Sequence, residues 1–205
     1  MSGFAPEPIP TDRLVLLPLG VAHAEEMAAV LADPALHTFI GGSPADPASL
    51  RARYERLVAG SPDPAETWCN WVIQLREDGR LAGTVQATVS EPDGPPRHQA
   101  TAGARAVGHR HLDDAEPVGD GPVAEIAWVV GTPWQGHGIA TEAARGMVGW
   151  LGRRGVRTLV AHIHPDHRAS AAVAGACGLA PTGVWHDGEI RWTGPAGGRT
   201  SPPAR

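Results

Sequence analysis

Ala124-Glu125-Ile126-Ala127-Trp128-Val129-Val130 runs into Gly131-Thr132-Pro133-Trp134 and then into Gln135-Gly136-His137-Gly138-Ile139-Ala140-Thr141-Glu142-Ala143. The first stretch, with Val123 before it, is apolar and rich in β-branched residues and is stopped by glycine, so it reads as a strand over 123–130. A helix from about Ile139 to Gly152 follows. The turn between them has a chemical meaning. A diphosphate needs several convergent amide hydrogens and room to approach them. Glycines at 136 and 138 supply both, because they lack side chains and accept unusual backbone angles. The helix opening at Ile139 adds its free N–H groups and the positive end of its dipole.

Three other readings of these glycines compete. A dinucleotide fold requires Gly-x-Gly-x-x-Gly, yet counting from Gly136 puts Thr141 in the last place. A Walker-type NTPase loop requires lysine, and all seventeen basic residues of this chain are arginine. The plainest alternative is that the glycines only shape a strand-to-helix turn.

Outward from this segment, the bulk properties set bounds. A chain of 205 residues that is 42% hydrophobic suits one α/β domain with a single core. A net charge of −5 gives no long-range attraction for nucleic acid or for an anionic membrane, and neither is expected as a partner. The absence of lysine also excludes Schiff-base chemistry. Two cysteines, Cys69 and Cys177, are too few for a disulfide framework or a thiolate zinc site and read as small buried apolar residues. There is no signal-peptide pattern and no apolar run near the ~18 residues of a membrane span, so a soluble cytoplasmic protein is expected.

Periodicity places the remaining elements. Residues 1–10, with three prolines, read as a flexible lead-in, and 14–19 as a first strand. Helices are expected over Ala22–Leu31 and Ser49–Val58. Trp71–Leu75 and Leu81–Val89 form a hairpin about the turn at residues 77–80. The 90–122 stretch reads as a long loop; its His109, Arg110, His111, Asp113 and Asp114 are read as solvated groups rather than metal ligands. A strand over Thr158–Ile163, a helix over Asp166–Ala176 and a hairpin over Thr182–Trp192 turning at Asp187-Gly188 complete the pattern. A flexible tail is expected over 194–205. One domain over 11–193 results, of mixed α/β class.

Gln135-x-x-Gly138-x-Ala140 after a strand resembles the acyl-CoA signature of the GCN5-related N-acetyltransferases (GNAT). The resemblance extends from the opening Thr11-Asp12-Arg13-Leu14 to the closing hairpin and is nearest to the branch that acetylates ribosomal-protein N-termini. It implies a twisted, mixed and mostly antiparallel sheet with flanking helices, splayed open beside the strand that ends at Val130. It further implies acetyl-CoA as acyl donor, a primary amine (a peptide N-terminus or a small amine) as acceptor, direct transfer between them, and a monomer or homodimer.

The resemblance also assigns residues. Main-chain groups of Trp128, Val129 and Val130 would pair with the pantetheine arm, and Gln135, Gly136, His137, Gly138, Ile139, Ala140 and Thr141 would hold the pyrophosphate. Glu125 is the candidate general base. Asp166-His167-Arg168-Ala169-Ser170 is similar to the family's Asn-x-x-Ser segment, with His167 where Asn is usual and Ser170 in place; both are candidate cofactor contacts. The tyrosine that protonates the leaving thiolate in some members has no counterpart, since Tyr54 is the single tyrosine. His162, His164 and His167 read as surface or cofactor-edge histidines rather than a zinc site, so no metal is expected. Trp185 and Trp192, like the other tryptophans, read as core or cleft wall, and on the last hairpin they could line an acceptor pocket. Two other functions stay open: a non-catalytic acyl-CoA-binding or regulatory protein of the same fold, and a metal-dependent hydrolase using the histidines.

Overall fold

A computed structural model describes residues 3–90 and 121–196. The polar groups of the 90–122 connection named above lie outside the described residues, as does the segment after 196.

Eight strands form one sheet: β1 (Ile9–Pro10), β2 (Leu14–Pro18), β3 (Glu66–Leu75), β4 (Leu81–Ser90), β5 (Val123–Val130), β6 (Thr158–Ile163), β7 (Ala180–His186) and β8 (Glu189–Pro195). Their order is β1-β2-β3-β4-β5-β6-β8-β7. Every neighbouring pair is antiparallel except β5 and β6. The helices are α1 (Ala24–Val30), α2 (His37–Ile40), α3 (Pro47–Ala59), α4 (Ile139–Arg153) and α5 (Arg168–Ala176).

Alternation along the central strands divides the core between the two faces of the sheet. Trp71 and Ile73 of β3, Val85, Ala87 and Val89 of β4, and Ala124 and Ile126 of β5 pack with the buried stripe Ala143, Met147, Trp150 and Leu151 of α4. On the opposite face Val72 and Leu81 meet Met27 and Val30 of α1 and Leu50 and Tyr54 of α3. α3 begins at Pro47 rather than Ser49, because Asp46 accepts the Ala48 and Ser49 amides, both at 2.9 Å, ahead of a proline in the first helical position. α5 begins at Arg168 rather than Asp166, for a reason that belongs to the site.

Residues 3–10 are not the loose lead-in that their prolines suggest. Phe4 is only 6% exposed, Ile9 is buried, and β1 pairs with β2 through Ile9↔Leu16. Glu7 ties this segment down: its carbonyl accepts from the Trp71 indole (2.9 Å), and its Oε1 accepts from the Trp150 indole (2.9 Å) and Arg154 (2.7 Å). Composition hid this anchoring because a strand of two residues ending in an edge proline has no periodicity to read. At the other end β8 runs to Pro195, past the hairpin boundary expected from the sequence.

One topological detail positions the site. β5 and β6 pair only at Val123↔Thr158, Ala124↔Leu159 and Glu125↔Val160. β5 then continues to Val130 beside β4, and β6 to Ile163 beside β8, without pairing with each other, which leaves a gap between two parallel strands at their C-terminal ends.

Candidate functional site

The gap widens into a cavity of about 420 Å³. Its walls include Trp128, Val129 and Val130 on β5, Gln135, Gly136, Gly138, Ile139, Ala140 and Thr141 around the turn, and His167 and Ser170 at α5. Eleven of the twelve candidate cofactor residues thus line one space. His137 stands apart: it is exposed and outside the wall.

Local geometry explains the turn. Gly136 and Gly138 have φ of +77° and +78°, angles that favour glycine. Gly138 is the N-cap of α4 and offers no side chain, so no capping group covers the first helical amides. The Ile139, Ala140 and Thr141 N–H groups therefore remain available to an anion, with the helix dipole behind them. Gln135 is exposed but folds back on the strand, its Nε2 donating to the Val130 carbonyl at 3.0 Å. The glutamine of the motif thereby fastens the turn to the end of the strand.

A clamp from the start of β2 completes this end of the site. Glu142 in the first turn of α4 accepts from the Thr11 hydroxyl (2.6 Å), the Arg13 amide (2.7 Å) and Arg13 Nε (2.7 Å). Arg13 Nη1 also donates to the His137 carbonyl at 3.0 Å. Burial opposes ionisation of Glu142, but these three donors outweigh it and hold the carboxyl below its ordinary value. The family resemblance includes the Thr11–Leu14 segment without assigning it a role.

A second, smaller cleft of about 130 Å³ adjoins the first at Trp128, Val129, Phe39, His167 and Ser170. Glu125 lies in it, on the strand face opposite Ala124 and Ile126, with Gln86 of β4, His162 of β6 and Glu189 of β8. Glu125 Oε1 stands 3.2 Å from His162 Nδ1, and the two side chains are 11% and 8% exposed. His162 therefore has a buried side chain that lines the cleft, which sets aside the surface alternative of its reading as a surface or cofactor-edge histidine. The missed signal was its register: Glu125 pairs with Val160, and His162 is the next residue on that face.

His167 occupies the N-cap of α5, where its Nδ1 accepts the Ser170 amide at 3.2 Å. It performs the capping role open to an asparagine, and this is why the helix starts at Arg168. Burial, with a smaller contribution from His164, pushes its pKa below the ordinary histidine value. The Phe39 ring meets it edge-on at a centroid distance of 4.2 Å. Neither tryptophan of the last hairpin lines the clefts. Trp192 packs on the core and Trp185 is 58% exposed.

Residues 13–180 match the family model described as the acetyltransferase (GNAT) domain. This chain belongs to the GNAT family. No curated protein matches its sequence. Among solved structures, the GNAT-family acetyltransferase from Bacillus anthracis superposes with a TM-score of 0.65 at 15% identity, over 93% of this chain and 99% of that one. The structure described as RimL, ribosomal L7/L12 alpha-N-protein acetyltransferase in complex with coenzyme A, gives 0.63 at 16% identity over 92% and 97%. AAC(6')-Ib in complex with paromomycin and acetyl-CoA gives 0.67 at 16% identity over 94% and 100%. These likenesses establish a GNAT fold.

Tyr54 lies on α3 with a buried hydroxyl that has no hydrogen-bond partner, and burial raises its pKa to about 12. It lines neither cleft. The buried thiols of Cys69 and Cys177 are likewise pushed up, to about 12 and about 11. Among the described residues no group of three or more His, Cys, Asp or Glu is arranged to hold a metal ion. No helix among them is long and apolar enough to cross a membrane.

Proposed function

We propose that this protein is an acetyl-CoA-dependent N-acetyltransferase that moves the acetyl group directly to a primary amine, either a peptide N-terminus or a small amine. The observation that carries this reading is the break in pairing after Glu125↔Val160. It opens one cavity beside the bare amides of Gly138–Thr141 and a second beside the Glu125 carboxylate, and the two share Trp128 and Val129.

The residues present fit acetyl-CoA. The glycine turn and the uncapped start of α4 suit a pyrophosphate, and the unpaired edge of β5 suits the amides of a pantetheine arm, in the manner of an added strand. The thioester supplies the acetyl group. Proton removal from the incoming amine falls to the end of the smaller cleft where Glu125 and His162 meet. A buried pair of free thiols suits a reducing compartment, and we assign the protein to the cytoplasm.

The names of the structural relatives support both acceptor classes, a protein N-terminus for RimL and an aminoglycoside-bound state for AAC(6')-Ib. The test is release of free CoA from acetyl-CoA in the presence of peptides, polyamines and aminoglycosides, with the acetylated product identified by mass. Turnover with one class names the acceptor. Tight acetyl-CoA binding without turnover on any amine would replace this reading with that of a non-catalytic acyl-CoA-binding protein.

A further inference from the structure

Glu125 and His162 meet across the gap between β5 and β6, where the smaller cleft opens. An ionised carboxylate only accepts hydrogen bonds. The 3.2 Å contact therefore requires His162 to carry its proton on Nδ1, and in the neutral ring this leaves the lone pair on Nε2. Nε2 makes no hydrogen bond to any described residue, and the imidazole lines the cleft. His167, five residues on, is held in the opposite state: its Nδ1 accepts the Ser170 amide, so its proton sits on Nε2. His164 also lines the cleft, but its side chain is 41% exposed and its Nδ1 accepts the Asp166 amide. His186, whose ring lies 5.8 Å from that of His162, has a side chain 36% exposed. Of these four histidines at this end of the sheet, His162 alone combines a buried side chain, an orienting carboxylate and a lone pair with no partner among the described residues.

We propose that His162 Nε2, rather than the Glu125 carboxylate itself, takes the proton from the acceptor amine, and that Glu125 is the positioning residue that fixes its tautomer. This rests on the reading of the protein as an N-acetyltransferase. The amine nitrogen bonds to the thioester carbonyl carbon, the carbon–sulfur bond breaks, and the amine proton passes to His162. The imidazolium returns that proton to the departing thiolate, so amine and acetyl-CoA give amide and free CoA with no other reactant. The carboxylate stabilises the imidazolium in between, the division of labour found wherever a carboxylate backs a catalytic histidine. It also answers the lack of a tyrosine in either cleft, since the same imidazole serves as base and then acid.

The direct test is the tautomer of His162 in the full-length protein labelled with ¹⁵N-histidine at neutral pH, assigned by comparison with H162Q. Protonation at Nδ1 is expected; an Nε2–H signal for His162 overturns the proposal. With an amine from the panel that turns over, H162A and E125Q should each lower kcat about 10²-fold or more, with the KM for acetyl-CoA unchanged. Added imidazole should restore H162A about tenfold or better and leave E125Q unaffected. An H162A enzyme of full kcat beside an inactive E125Q gives the base back to Glu125 and overturns the proposal. Acetyl-CoA affinity by calorimetry, measured on H162Q as well as H162A, separates a folding defect from a chemical one. Failure of the wild-type protein to acetylate any amine sinks the transferase reading instead, and the tautomer still decides the orientation of His162.

Discussion

Arg13 Nε lies 2.7 Å from Glu142 Oε2, joining residues 129 apart in sequence at the mouth of the phosphate turn. The pair has a physical task. Glu142 puts a negative charge in the first helical turn, beside the place proposed for a pyrophosphate. Arg13 neutralises that charge and, through the His137 carbonyl, holds the turn itself. Glu142→Gln is expected to lose about 1–2 kcal/mol of stability, the worth of a charge-assisted contact discounted for an arginine that is half exposed. Arg13→Ala should weaken acetyl-CoA binding more than it lowers the melting temperature, because the turn is loosened while the core is untouched. Calorimetric titration with acetyl-CoA beside thermal unfolding separates the two effects; equal affinity in Arg13→Ala would show that the clamp has no part in shaping the turn.

The anchoring of residues 3–10 makes a second prediction. Phe4 is buried in the main core and its carbonyl accepts from the Cys69 thiol at 3.2 Å. Phe4→Ala should cost about 3 kcal/mol and lower the melting temperature by roughly 10 °C. Chemical denaturation with an unchanged m-value would confirm a loss of packing. A variant as stable as the wild type would mean that this segment lies on the core without contributing to it.

These two results follow the line between what the sequence discloses and what it does not. The turn that carries Gln135, Gly138 and Ala140 is legible because it is local: strand, turn and helix are consecutive, and Gly136 and Gly138 each answer to a backbone angle within the same few residues. The apolar runs of β5 and β6 are legible for the same reason, and Thr158–Ile163 falls where its pattern puts it. Glu125 could be named from its place on the strand. Its partner could not, because the meeting with His162 depends on the register of two parallel strands joined by a helix. The Arg13–Glu142 contact and the docking of Glu7 between Trp71 and Trp150 are set by the whole fold, and no window of sequence contains both ends. His167 lay between these cases. Its departure from asparagine was visible, but that it still caps the helix through Nδ1 required the structure.

That cap makes stability depend on pH. His167 accepts the Ser170 amide only when its ring is neutral, and its folded-state pKa is depressed by burial and then by His164. The unfolded chain takes up the proton first as pH falls. The contribution is therefore complete above the ordinary histidine value of 6.5 and is lost as pH drops below it through the folded value. His167→Asn preserves a capping acceptor that does not titrate. Its melting temperature should fall less than that of the wild type between about pH 8 and about pH 5, where histidines titrate. Parallel curves for the two proteins would refute a titrating cap at this position.

Phe39 supplies a prediction that separates the fold from the site. It projects from α2 into the walls of both clefts and meets the His167 ring at 4.2 Å, yet it is 36% exposed and belongs to neither core cluster. The segment that carries it is tied to the phosphate turn by the Thr132 hydroxyl, which donates to Asp33 at 2.6 Å. Phe39 thus stands where the larger cavity meets the smaller cleft. Removing the ring forfeits an aromatic contact of about 0.5–1.5 kcal/mol while leaving the sheet and its helices as they are. Phe39→Ala should keep the wild-type unfolding free energy to within about 1 kcal/mol. It should also weaken acetyl-CoA binding about three- to tenfold, a separate loss of about 0.7–1.4 kcal/mol expected from removing part of the cavity wall. Denaturant titration and calorimetry on one preparation give both numbers. A variant destabilised by several kcal/mol would instead make Phe39 part of the core, and one with unaltered affinity would remove it from the cofactor site.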